Sequence, residues 1–223
     1  MAQALDLDEQ EQLDQIKHFW KTWGNLISWV LIAALGSYAA WNGYQYWERS
    51  QAGKAAALYD ELERAASSGD LVRVERSLAD MKDKFGRTQF AQQSALLAAK
   101  TLQAQGKADA ARDALNWVAN GATDPAYRDI ARLRLAALQL DAKAYDDALK
   151  SLGSDFTPEM SGLAADLRGD VLQAKGQSAE AVSAYQQAWK KLADTPDYRR
   201  LVKAKLNALG IDPEPALVSE TAK

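Results

Sequence analysis

Apolar positions follow two different rules on either side of Glu48. Before it, the 26 residues from Thr22 to Trp47 carry no charge, and Leu26–Ala40 (LISWVLIAALGSYAA) forms an apolar centre. After it, alanine and leucine recur at three- and four-residue spacing among polar residues, which predicts amphipathic helices and no strands. A helix rises about 1.5 Å per residue, so roughly 20 apolar residues cross a bilayer's hydrocarbon core. Phe19, Trp20 and Trp23 flank the centre on one side, and Trp41, Tyr44, Tyr46 and Trp47 on the other. Rings with an apolar body and a polar edge settle at the two headgroup levels. The first pattern therefore predicts a transmembrane helix over 22–47, anchored by Trp23, Leu26, Trp29, Gly36, Ala40, Trp41 and Trp47.

Two rivals compete with the span. A buried core helix fits poorly with paired aromatic belts. A cleaved signal peptide has support from Ser37-Tyr38-Ala39, which has the small-x-small form of a cleavage site. The leader 1–21 opposes it: it carries Asp6, Asp8, Glu9, Glu11 and Asp14 against Lys17 and Lys21, whereas a signal peptide begins with a basic segment. Basic residues close to the span, Lys17 and Lys21 before it and Arg49 and Lys54 after it, nearly balance, so charge does not choose the orientation. Ala33, Gly36, Ala40 and Gly43 would share one helix face, where backbones of paired helices can approach closely in lipid.

The second pattern repeats. Helix starts are marked by Asp124-Pro125, Thr157-Pro158 and Thr195-Pro196, whose prolines lie 33 and 38 residues apart, and by Thr88. Helix breaks at Gly69, Gly106, Lys143 and Gly176 are 37, 37 and 33 residues apart. Each unit is then a helix, a tight turn and a second helix. Small residues recur in first helices (Ala99, Ala136, Gly169) and in second helices (Ala111, Ala148, Ala181), with Leu115, Leu152 and Tyr185 four residues after the latter. A period of about 34 with this alternation marks tetratricopeptide repeats. The predicted fold is all-α: one N-terminal transmembrane helix, then a tetratricopeptide-like helical-hairpin solenoid over 48–210. Four pairs run from Lys54 to about Ala193, a closing helix covers about Pro196–Leu209, and 211–223 is a flexible tail. First helices should line the concave side, placing Tyr59, Glu63, Gln93, Lys100, Gln103, Asp166, Asp170 and Gln173 in a protein-binding groove.

Charge and composition narrow the chemistry. Lys17 and Lys21 account for two of the 27 basic residues, and the leader for five of the 30 acidic ones. From Glu48 onward 25 of each remain, a neutral balance that argues against nucleic acid. Cysteine is absent and His18, the only histidine, sits at the membrane edge in the acidic leader, so the usual zinc ligand sets and Ser-His or Cys-His pairs are not expected. Glycines are spread one per turn rather than gathered in a phosphate loop. Carboxylate clusters such as Asp60-Glu61-Glu63 and Asp146-Asp147 read as solvated helix faces. No catalytic, cofactor or metal residues are expected, and a membrane-tethered hydrolase is the disfavoured reading.

The segment 169–188 (GDVLQAKGQSAEAVSAYQQA) looks like a tetratricopeptide repeat in Gly169, Gly176, Ala181, Tyr185 and Ala188. Earlier units are degenerate: Lys143 replaces a turn glycine and Val74 a small residue. The opening LDEQEQLDQIKHFWKTWGN (7–25) and the overall layout resemble the ancillary SecYEG translocon subunit family of proteobacterial inner-membrane proteins. That resemblance implies a cytoplasmic acidic leader (1–21), a periplasmic repeat domain, and a non-enzymatic scaffold beside the Sec translocon. It also implies a membrane-anchored periplasmic chaperone or isomerase as partner, coupled to secreted or envelope proteins. An adaptor for a different envelope-assembly complex shares every feature of the residues themselves.

Overall fold

A computed structural model describes residues 7–153, 155–192 and 195–214. These residues form helices and connecting turns, with no strand among them. The first helix, α1, runs from Leu7 to Ser68 without a break. The chain divides into two compact units between Gly53 and Lys54.

In the first unit α1 carries the uncharged run on its surface. Trp29 and Leu35 are 65% and 66% exposed, a large area of apolar side chain that water would penalise and hydrocarbon would accept. Among the described residues this is the one helix long and apolar enough to cross a membrane. Two of its polar side chains bond to the helix's own backbone: Thr22 Oγ1 donates to the His18 carbonyl and Asn42 Nδ2 to the Tyr38 carbonyl, both at 2.9 Å. That satisfies groups which hydrocarbon cannot solvate.

In the second unit the end of α1 pairs with α2 (Leu71–Phe85), α3 (Gln89–Ala104) with α4 (Ala108–Gly121), α5 (Pro125–Asp141) with α6 (Tyr145–Ser151), and α7 (Pro158–Ala174) with α8 (Ser178–Lys191). The closing helix α9 covers Pro196–Ala208. Four pairs and a closing helix are the predicted order. The turns obey one geometry: Gly69, Gly106 and Gly176 have φ of 72°, 76° and 86°, and Lys143 stands at 60° in the equivalent place. At each turn two amides reach back to carbonyls of the last helical turn. Gly176 N donates to the Gln173 carbonyl at 3.0 Å and Gln177 N to that of Leu172 at 2.9 Å. Lys143 N and Ala144 N do the same to Leu140 and Gln139, at 2.9 and 2.8 Å. Such paired bonds end a helix through one left-handed residue, which glycine adopts freely and lysine only with strain.

The small-then-large pattern is packing. A Cβ placed on Gly169 would run into the Tyr185 ring, so the ring occupies the space a side chain would take. Ala136, Ala148, Leu152 and Val171 pack in one cluster, and Ala99, Ala111 and Leu115 in another. Val74, the large residue in a small position, is fully buried in that second cluster with Leu62 and Ala65.

Helix starts differ from the sequence expectation. Thr88 and Asp124 do cap, accepting from the amides of Ala91 and Ala126. Thr157 and Thr195 make no side-chain cap. The Thr157 amide instead donates to Asp129 Oδ2 at 2.8 Å, which holds the chain entry to α7 against α5. Beyond α9, Ile211 N donates to the Leu206 carbonyl at 3.0 Å and Ile211 packs on the last cluster. The ordered chain thus continues past residue 210; residues 215–223 of the expected tail lie outside the described residues, as do residues 1–6 of the leader.

Candidate functional site

The expected groove residues fall into two groups. On the first helices α1 and α3, Tyr59 and Gln93 are half-buried, while Glu63, Lys100 and Gln103 are exposed. Tyr59 stacks obliquely on Phe90, with ring centroids 5.9 Å apart, and Gln93 Nε2 donates to the Tyr127 hydroxyl at 2.7 Å. Burial and the neighbouring Glu63 carboxylate push the Tyr59 phenol above its ordinary range, so it stays neutral. Arg134 Nη1 donates to the Leu96 carbonyl at 3.3 Å and ties α5 to α3. Phe90, Tyr127 and Arg134 therefore join a surface that mixes aromatic faces, amides and both signs of charge. Small residues at a fixed period mark the packing of α3 and α5, whereas aromatic and long polar side chains such as Phe90, Tyr127 and Arg134 follow no such period in the sequence.

The second group behaves differently. Asp166 was expected to face an open groove; its side chain is only 2% exposed, because α9 folds back over α7 there. It accepts from the Tyr198 hydroxyl at 2.8 Å and from Lys205 Nζ at 2.9 Å. Asp170 accepts from Tyr185 and Lys205, each at 2.8 Å. Lys205 thus bridges two carboxylates one helical turn apart on α7, and two tyrosines complete the set from α8 and α9. Burial first, and the carboxylates second, raise both phenols well above their ordinary range. This arrangement is an internal polar cross-link that seats the closing helix. Only Gln173, of the three residues expected here, is freely exposed. The signal was legible in α9, where Tyr198, Val202, Lys205 and Leu206 share one face by their spacing.

A third cluster, unforeseen from the sequence, holds the segment after the short α6. Arg168 Nη2 donates to the carbonyls of Leu152 and Gly153, both at 2.9 Å, and Arg132 Nε to that of Ser151 at 3.0 Å. Arg132 also pairs with Asp155 at 2.8 Å and lies 4.2 Å over the Phe156 ring. These guanidiniums satisfy carbonyls that a longer α6 would have satisfied itself. An adjoining cleft of about 260 Å³, lined by Phe156, Ala164, Ala165, Arg168 and Lys191 among others, is open and shares that arginine.

Of the residues expected to anchor the chain in a membrane, Trp23, Leu26, Trp29, Ala40, Trp41 and Trp47 are all exposed on α1, and space is open around Gly36.

The family model described as a tetratricopeptide repeat-like domain matches residues 17–211. A Neisseria gonorrhoeae protein named "Ancillary SecYEG translocon subunit" is 33% identical over 208 residues, covering 92% of this chain and 99% of that one. The chain belongs to the ancillary SecYEG translocon subunit family. Two further members of the family, from Escherichia coli and Haemophilus influenzae, are 29% and 26% identical, each match covering 92% of this chain and at least 98% of the relative. The match to the family model runs through the apolar helix and the repeats together.

Proposed function

We propose that this chain is a non-enzymatic, membrane-anchored protein-binding scaffold at the Sec translocon. The observation that carries the reading is the nearly full-length match, at 33% identity, to a relative named as an ancillary translocon subunit, joined to one exposed apolar helix and a tetratricopeptide repeat-like domain. In this reading α1 crosses the inner membrane once through 22–47. The leader is cytoplasmic and the repeat domain periplasmic. The exposed polar residues of the first helices, Glu63, Lys100, Gln103 and Gln173, with the half-buried Tyr59 and Gln93, bind a partner segment; Asp166 and Asp170 support that surface from behind by seating α9. The partner is a membrane-anchored periplasmic chaperone or isomerase, which the scaffold holds near secreted or envelope proteins leaving the channel. A mixed surface of amides, charges and aromatic edges suits extended peptide or a partner helix.

Crosslinked affinity purification of the full-length chain from native membranes tests this reading. It predicts translocon subunits and a periplasmic chaperone or isomerase among the crosslinked proteins. Recovery of a different envelope complex without translocon subunits would replace the reading with that of an adaptor for that complex.

A further inference from the structure

The open cleft beside α7 and α8 differs from the neighbouring polar clusters in its charge. Phe156, Ala164 and Ala165 give it an apolar wall, and Arg168, Gln187 and Lys191 a polar one. Among the described residues no carboxylate lines it. The acids that flank its lining residues in sequence are engaged elsewhere: Asp155 by Arg132 at 2.8 Å and Asp166 by Lys205 at 2.9 Å. Arg168 has the opposite arrangement. Its Nη2 donates only to the carbonyls of Leu152 and Gly153, so neutral oxygens fix its position and, among the described residues, no carboxylate meets its charge.

The second cation is brought there by packing. A Cβ on Gly162 would run into Leu192 and touch the stem of Lys191, so the missing side chain lets the end of α8 close on α7 at the cleft's rim. Lys191 is exposed, so a ligand can reach its ammonium. The cleft's volume, about 260 Å³, lies below the roughly 300–1,000 Å³ of pockets that enclose drug-sized molecules. It has room for one or two side chains of a segment passing over it. A cationic rim beside an apolar wall complements an anionic group carried next to an apolar one. The guanidinium fork matches a carboxylate, and a guanidinium already held in place loses little freedom on binding.

We propose that this cleft binds an extended acidic protein segment, which sets one apolar side chain against Phe156 and a carboxylate between Arg168 and Lys191. It is a second site, because Glu63, Lys100, Gln103 and Gln173 do not line it. It rests on the protein-binding reading above and not on which complex the chain serves.

Calorimetric titration of the full-length chain in non-ionic detergent with acetyl-Gly-Phe-Ser-Glu-Ser-Glu-Gly-amide tests the site. In an extended backbone the ring and both carboxylates of this peptide fall on one side, and its blocked ends carry no charge. The expected result is saturable binding, weakened about tenfold when glutamine replaces both glutamates and severalfold when alanine replaces phenylalanine. Lys191→Glu should weaken it about tenfold, whereas Lys190→Glu, one residue outside the cleft, should change it less than about twofold. An unchanged unfolding midpoint for Lys191→Glu separates lost binding from lost fold. No saturable binding, equal affinity for the glutamine peptide, or equal losses from the two lysine variants would overturn the proposal. Failure of the titration while translocon subunits still co-purify would remove this site and leave the translocon reading. Peptide binding intact in a chain that co-purifies with a different complex would do the reverse.

Discussion

The third and fourth hairpins turn in the same way and are held together differently. Both end their first helix through a left-handed residue with the same pair of amide-to-carbonyl bonds. In the fourth, glycine occupies that turn, α8 has 14 residues, and the Tyr185 ring fills the space left by Gly169. In the third, a lysine occupies the turn, α6 has only 7 residues, and arginines from α5 and α7 bind the carbonyls of the segment that follows. A repeat can therefore keep its backbone path and its small-residue packing while adding guanidinium-to-carbonyl bonds. Degeneracy in sequence here marks a change in what holds the hairpin rather than a change of fold.

The largest break in this comparison should come from the cross-link at the end of the fourth hairpin. Asp166→Ala leaves the Tyr198 hydroxyl without its acceptor and strips Lys205, 23% exposed, of one of its two carboxylates. Losing one member of a buried charged set costs about 3 kcal/mol, read as a lower midpoint in denaturant unfolding of the detergent-solubilised protein. Gly169→Ala comes next. Its Cβ collides with the Tyr185 ring, and overpacking of that kind costs about 1–3 kcal/mol. Ala136→Gly, at the matching position of the third hairpin, creates only a small void and should cost less. Equal losses at the two positions would erase the distinction.

The turns give a smaller, signed pair of effects. Gly176→Val places a β-branched residue at φ 86° and should cost about 1–2 kcal/mol, whereas Lys143→Gly relieves a lysine at φ 60° and should stabilise by up to about 1 kcal/mol. Thermal unfolding that moves in the same direction for both would mean that the two turns are not equivalent.

How much of this was legible depended on the kind of interaction. Apolar and small residues at helical spacing marked the span, the four pairs and the closing helix, because backbone geometry and close packing both constrain residue size. Lys143 could be placed as a turn residue only because its neighbours at the same period are glycines. Long polar side chains were not legible. Arg132 and Arg168 reach carbonyls 19 and 16 residues away in the chain, and Lys205 reaches an aspartate 39 residues away. Their spacing has no fixed period, so a groove assigned by register alone included Asp166, which α9 covers.

The smallest effect is one of pH, and its sign differs between the hairpins. Lys175 holds the Asp146 carboxyl below the usual carboxylate range, and Arg132 does so for Asp155. Stability from these pairs is present above the ordinary carboxylate pKa of about 4 and is lost as pH falls through the lowered values. The raised phenols of Tyr185 and Tyr198 work oppositely: their contribution is present below the ordinary value of about 10 and is lost as pH rises through the raised ones. Amide protection, corrected for intrinsic exchange, should therefore fall first in 145–157 on acidification and first in α8 and α9 in strong alkali. Loss of protection in the same hairpin at both extremes would show that these groups do not govern it.

The account stands or falls on whether the exposed side of the first helices is where protein binds. Photoactivatable residues placed singly at Glu63, Lys100, Gln103 and Gln173, and at Arg112, Asp147 and Gln186 on the second helices, measure this in native membranes. The account predicts that the first four positions crosslink to one shared partner and that the last three give little product. Strong crosslinking of that same partner from Arg112, Asp147 and Gln186, with none from the first helices, would contradict it.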